Sequence, residues 1–181
     1  MELTHRVATL DDLDAIRVVV RRAIEQLQSD FLTPEQVAAS HRVMGVDTQL
    51  LRDGTYILVL AGDRIAGCGG WSYRRTLFGG DTSVVAREPE TLDPAGDAAR
   101  IRAMYTDPSF TRRGIGRRVL ELCEQAAWSH GFRRAEMMAT MAGEPLYRSC
   151  GYVRLDKPLT ATTGDTAVPL VRMGKLLTCS G

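Results

Sequence analysis

The sequence has no Cys-x-x-Cys pair and no metal-ligand spacing among its few histidines and cysteines. Cys68, Cys123, Cys150 and Cys179 therefore read as reduced core or tail residues of a cytoplasmic protein, with no metal site. No apolar run approaches the roughly 20 residues that a membrane span needs. The opening MELTHRVATL lacks the basic-then-apolar order of a signal peptide. One-sided charge is missing too: the formal net charge is +1, so no global field draws the chain to nucleic acid or to a membrane. No segment repeats at a solenoid period. The nucleotide and esterase signatures are also absent. There is no P-loop lysine and hydroxyl, no third glycine of a dinucleotide fingerprint (Val119 stands there), and no Gly-x-Ser-x-Gly. With 44% hydrophobic residues, the 181-residue chain is expected to form one domain over 1–181.

Hydrophobic spacing and breakers outline its elements. Leu3 to Ala8 alternates as a first strand, and Thr9 with Asp12 has the spacing of a capping box before a helix carrying Leu13, Ile16, Val20 and Leu27. Thr33, Pro34 and Gln36 repeat that start signal for a shorter helix. TYILVLAGDRIAGCGGWS reads as a hairpin turning at Gly62-Asp63, with Gly67, Gly69 and Gly70 marking a bend or a close approach. The pattern fails over about 73–98, a structureless stretch by periodicity. A strand resumes at ARIRAMYT, with Ile101, Ala103 and Tyr105 expected on one face and Met104 on the other. Next come a helix to His130 stopped by Gly131, the strand RAEMMAT, and a short helix in GEPLYRSCG. YVRL and AVPLVRMGKL close the chain as two further strands, with a tail after 176.

TRRGIGRR, from Thr111 to Arg118, sits between the strand and the long helix. A helix N-terminus offers unpaired N–H groups and a positive dipole end, and glycines let an anion reach the backbone. Arg112, Arg113, Arg117 and Arg118 add charge suited to phosphate.

The stretch RAMYTDPSFTRRGIGRRVLELCEQAA resembles the signature of the GCN5-related N-acetyltransferase (GNAT) family: a strand, a proline-containing turn, then [Q/R]-x-x-G-x-[G/A] opening a helix. Thr111 departs from the Gln/Arg position. EPLYRSCGYVRLDK resembles the family's element near the C-terminus, and the remaining elements fall in the family's order. The resemblance implies the α/β (α+β) GNAT fold, a mixed, mostly antiparallel central sheet with a splayed parallel strand pair, flanked by helices. It implies acetyl-CoA as cosubstrate and transfer of its acetyl group to a primary amine of a small molecule or peptide, by direct attack in a ternary complex. By the same resemblance, the backbone of Met104, Tyr105 and Thr106 meets the acetyl and pantetheine portion. Arg112, Arg113, Gly114, Ile115, Gly116 and Arg117 hold the pyrophosphate. Thr140 is nearest to an asparagine the family often carries, and many relatives form homodimers.

Such a transfer needs a neutral amine, a donor to the tetrahedral oxyanion and a proton for the departing thiolate. Tyr147 matches the family's tyrosine and is the expected proton donor. A general base is left open between Glu136, Asp81, Asp97 and a water chain; His5, His41 and His130 read as structural. Tyr73, Phe78 and Asp81 in the long loop are expected at the acceptor, as part of its pocket or of a lid hinged at Gly79-Gly80. The alternative function is a non-catalytic acyl-CoA-binding sensor or subunit of the same fold.

Overall fold

The computed structural model describes residues 2–178. The tail expected after 176 falls largely outside them; of its described part, Leu177 is buried and its N–H bonds to the Arg133 carbonyl at 2.9 Å. Among the described residues no helix is long and apolar enough to cross a membrane.

Strand β1 (Leu3–Val7) is followed by a 3-10 turn and helix α1 (Leu13–Leu27). The Asp12 carboxylate accepts the Thr9 N–H at 2.8 Å, the contact expected from a capping box. In α2 (Pro34–Ser40) the reciprocal box is complete: Gln36 N–H donates to the Thr33 hydroxyl, and Gln36 Oε1 accepts the Thr33 N–H. A third helix, α3 (Thr48–Arg52), was not expected. It is only five residues long, too short to show a period, and depends on its Asp47 cap.

Strands β2 (Tyr56–Ala61) and β3 (Arg64–Ser72) form the expected hairpin, and β4 (Ala99–Thr106) pairs antiparallel with β3. Helix α4 (Ile115–Ser129), strand β5 (Arg134–Thr140) and helix α5 (Glu144–Ser149) follow. The chain closes with three strands where two were expected, β6 (Val153–Arg154), β7 (Leu159–Thr163) and β8 (Thr166–Leu176). The extra hairpin, β7 to β8, turns at Gly164, whose φ of 60° lies in the left-handed region. Its strand LTATT is mostly exposed and small, and so lacked a hydrophobic signal.

The sheet order is β1-β2-β3-β4-β5-β8-β6, with β7 on β8, and every neighbouring pair is antiparallel except β4 and β5. That parallel pair is registered only at Ala99↔Ala135 and Arg100↔Glu136. Beyond these residues the strands part and open a V. Helices α4 and α5 cover one face over a core that includes Trp71, Val119, Cys123 and Met137; α1 covers the other over Tyr56, Leu58 and Cys68.

The alternation expected in β4 breaks at Ala103. Ile101 packs on the α4 side, whereas Ala103 and Tyr105 pack on the α1 side and Met104 turns to α4. Ala103 has φ 51°, and the register against β3 shifts between Cys68 and Gly70, so one extra residue stands in β4 as a bulge. A bulge exchanges the two faces of everything downstream of it.

The stretch about 73–98 is folded back on itself. Leu92 N–H bonds to the Tyr73 carbonyl at 2.7 Å, Arg75 N–H to Glu90 at 2.9 Å and Thr76 N–H to Glu88 at 3.0 Å. Arg74 forms two bonds to Asp53, at 2.7 and 2.8 Å, and Arg87 reaches Asp47 at 2.7 Å. Side chains from distant segments hold it, so no periodic signal marks it in the sequence. Beneath it, Asp47 is fully buried and pairs with the 5%-exposed Arg102 at 2.5 Å. Removing one partner of such a pair leaves the other charge uncompensated, at about 3–5 kcal/mol. Asp47→Ala should lower unfolding free energy by that amount in denaturant titration. A loss below about 1 kcal/mol would mean that water already reaches Arg102.

Candidate functional site

The V between β4 and β5 holds a cavity of about 230 Å³. Ile101 and Met137 line it from the two strands; Met104, Tyr105, Thr106, Gly116, Leu146 and Tyr147 line one end. Ala23, Leu27, Gln28, Met44, Phe78, Arg102 and Met138 line the other.

Helix α4 reaches the cleft because β3 carries glycine where side chains would stand. A Cβ on Gly67 would lie 2.5 Å from the Ile115 side chain, and one on Gly69 would collide with Met104 and Val119. The close approach expected of this glycine run is made by α4. Gly114 caps the helix in the left-handed conformation at φ 76°, and no side chain caps its N–H groups. Arg112 is left-handed as well, at φ 62°. The loop thus presents the orphan N–H groups of a 15-residue helix, with the positive dipole end, at the mouth of the V. Gly116 lies where cleft and helix start meet: an added Cβ would come 2.7 Å from Leu146 and 3.5 Å from the Thr106 hydroxyl. Arg112, Arg113 and Arg117 are exposed around this start and do not line the cleft. Arg117 donates to the Ser149 hydroxyl at 3.1 Å, and Arg113 lies over the Phe110 ring at 5.8 Å. Thr111 donates its hydroxyl to the Pro108 carbonyl at 3.2 Å.

At the bulge, the Tyr56 hydroxyl donates to the Ala103 carbonyl at 3.0 Å, from the β3 side of the strand. In a trans peptide the following N–H points the opposite way, so Met104 N–H is directed away from Tyr56. Tyr56 is fully buried and reads as ordinary core from sequence. Only the bulge gives it this task.

Tyr147 lies 8% exposed at the junction of the two ends, edge-on to Tyr152 at 6.2 Å between ring centroids. Gly143 gives it room: a Cβ there would sit 2.8 Å from the ring. Thr140 lines the cleft but its oxygen accepts the Gly143 N–H at 3.1 Å. Helix α5 is tied down by Glu144, which takes two bonds from Arg154 at 2.6 and 2.7 Å.

The residues expected at the acceptor separate. Phe78 lines the cleft with Leu77 and Gly79. Tyr73 does not; it stacks on His130 with ring centroids 6.0 Å apart, on the far side of Trp71, in a separate shallow groove. Asp81 also stands outside, accepting the Thr48 N–H at 3.1 Å and pairing with Arg87 at 3.2 Å. The glycine pair is no free hinge, because Gly80 is packed on the Val46 and Gly45 backbone. Of the base candidates, Glu136 lies at the closed end of the V, held by Arg100 at 2.6 Å and Arg172 at 2.7 Å. Asp97 accepts the Asp93 N–H at 2.8 Å. Arg102 was not singled out from sequence. It lines the acceptor end and donates to the Gly79 carbonyl at 2.7 Å. Among the described residues no three His, Cys, Asp or Glu side chains gather as a metal site.

Burial pushes the Tyr147 phenol well above its ordinary pKa, and does the same to Tyr56, Tyr105 and Tyr152. A group whose folded pKa is raised supports the fold below its unfolded pKa, about 10 for tyrosine, and that support is lost as pH rises beyond it. Near pH 10–11, tyrosinate absorbance should therefore account for far fewer than the five tyrosines of the chain. The remainder should appear together with unfolding. A full reversible titration around pH 10 in the native state would contradict this burial.

A family model described as the acetyltransferase (GNAT) family matches residues 21–152. Similar solved structures include a GCN5-related N-acetyltransferase from Rhodopseudomonas palustris, at 16% identity over 98% of this chain and 97% of that one, with TM-score 0.70. The PaiA N-acetyltransferase of Thermoplasma acidophilum in complex with coenzyme A is 16% identical over 97% and 99%, with TM-score 0.64. A ribosomal-protein-alanine N-acetyltransferase from Brucella melitensis is 17% identical over 96% and 99%, also at TM-score 0.64. At these identities the likeness is one of fold. No curated protein matches the chain.

Proposed function

The chain belongs to the acetyltransferase (GNAT) family, and from that membership we propose that it moves an acetyl group from acetyl-CoA to a primary amine by direct attack in a ternary complex. What carries the reading is one juxtaposition: an uncapped helix start and a bulged strand open on the same cleft, and a buried phenol stands between them. The N–H groups at Gly114 to Arg117 would take the pyrophosphate, with the surrounding arginines lending charge. The cleft would take the pantetheine arm along Met104 to Thr106. There the Met104 N–H faces the developing oxyanion, where a preorganised donor lowers the barrier. The amine nitrogen forms a bond to the thioester carbon, the tetrahedral adduct collapses, and the C–S bond breaks. Tyr147, held protonated by burial, supplies a proton to the departing sulfur, and the proton that the adduct's nitrogen releases passes through water to restore the phenol. We place the protein in the cytoplasm, where thiols such as Cys68 and Cys123 stay reduced.

Gly116→Val fills the junction of loop and cleft. Calorimetry should show acetyl-CoA binding greatly weakened while circular dichroism stays native; unchanged affinity would remove the loop from the cosubstrate site. Tyr147→Phe keeps the ring and deletes the acid, which typically costs about 10²–10⁴ in rate. We expect kcat to fall in that range with acetyl-CoA affinity near wild type. A fall below about threefold would assign the tyrosine to packing.

A further inference from the structure

The acceptor end of the cleft is built from apolar side chains around one cation. Helix α1 presents Ala23, Leu27 and Gln28; the segment before α3 presents Met44 and Gly45; the long loop presents Leu77, Phe78 and Gly79; β5 presents Met138. The Gln28 amide is spent internally, its nitrogen on the Met44 sulfur at 3.6 Å. The charged residue lining this end is Arg102, whose guanidinium is pinned between Asp47 and the Gly79 carbonyl. Beyond it, toward the other end, the titratable side chains of the lining are the phenols of Tyr105 and Tyr147. Tyr105 is committed to Gly45, accepting its N–H at 3.0 Å. The nearby carboxylates stand outside the lining and are engaged. Asp47 and Asp81 face Arg87 and Arg102 behind the wall, and Glu136 is clamped by Arg100 and Arg172 at the closed end.

We propose that the acceptor is an apolar primary amine of low basicity, of the kind found at the α-amine of a peptide or amino-acid amide, and that it enters the cleft already neutral. This rests on the acetyl-transfer reading. An alkylammonium brought here loses its water, meets sulfur and hydrocarbon, and finds no carboxylate in the lining to pair with; burying a charge on such terms is heavily disfavoured. The amine proton must then be given to water before entry. The pKa of an α-amine is about 7.7–8.0 and that of an alkylamine such as the lysine side chain about 10.4. Near pH 7.5 roughly a third of the first and about a thousandth of the second are neutral.

The test uses the intact enzyme, saturating acetyl-CoA and thiol release, with phenylalaninamide, 2-phenylethylamine and spermidine as probes. The first two share a phenylethylamine skeleton, and the carboxamide that phenylalaninamide adds lowers the basicity of its amine. Near neutral pH, kcat/KM should favour phenylalaninamide by at least about tenfold. For 2-phenylethylamine it should climb about tenfold per pH unit up to its own pKa. Equal or better use of 2-phenylethylamine or spermidine, or a plateau near pH 7 for 2-phenylethylamine, would overturn the proposal, since a plateau there reports a base on the enzyme. Met138→Glu places a carboxylate in the wall; if circular dichroism stays native, the preference for phenylalaninamide should narrow at least tenfold, and an unchanged ratio would overturn the assignment. Binding of acetyl-CoA without thiol release from any probe would instead reject the transfer reading itself.

Discussion

The site depends on the contact between α4 and the glycines of β3. Ile115 and Val119 occupy the space that side chains at 67 and 69 would fill. Helix and sheet therefore touch through backbone on one side, and the first turn of α4 comes down to the level of the opening between β4 and β5. Any larger residue at these glycines would lift the helix. Its free N–H groups would then stand away from the cleft. The proposed anion cradle is thus a consequence of packing several residues away, and the charge of the surrounding arginines adds to a site whose direction is already set by the backbone.

A second constraint acts on β4. Its bulge at Ala103 turns one carbonyl toward the Tyr56 hydroxyl and the next N–H the opposite way. The same irregularity reverses which faces the neighbouring side chains occupy, so Met104 packs with the α4 core while Tyr105 reaches across to Gly45. Below the bulge, β4 and β5 stay paired only at the closed end, where Glu136 is shared by Arg100 and Arg172. That ion-pair cluster closes the V where the strands pair. An acid that seemed available for catalysis by strand position alone is instead part of the closure.

Much of this was legible in sequence where a short-range rule governs it. The capping residues Thr33, Pro34 and Gln36, the turn at Gly62-Asp63 and the Gly-x-Gly start of α4 each need only neighbours within a few positions to declare themselves. The bulge, α3 and β7 did not show. A bulge is a mismatch between two strands distant in sequence, α3 is set by one buried capping aspartate, and β7 carries almost no buried residue to give a period. The contacts that order the long loop did not show for a related reason. Its order comes from Arg74 on Asp53 and Arg87 on Asp47, partners on segments 21 and 40 positions away. Tyr73 and Asp81, expected at the acceptor, lie outside the lining of this cleft, to which the folded loop gives Leu77, Phe78 and Gly79.

The two halves of the cleft are therefore built from different materials. The half proposed for the cosubstrate is assembled from backbone groups: orphan N–H groups of α4, a bulge amide, and glycines at 67, 69, 114 and 116. Backbone geometry survives wide substitution, which fits a fold shared with a TM-score of 0.70 at 16% identity. The acceptor half is assembled from side chains of α1, the long loop, β4 and β5, and it hangs on the Asp47–Arg102 pair, where Asp47 holds the guanidinium that in turn grips the Gly79 carbonyl. None of those side chains belongs to α4. On the proposed reading, selectivity for the amine rests with this half, which presents sulfur, hydrocarbon and a neutralised cation to whatever enters.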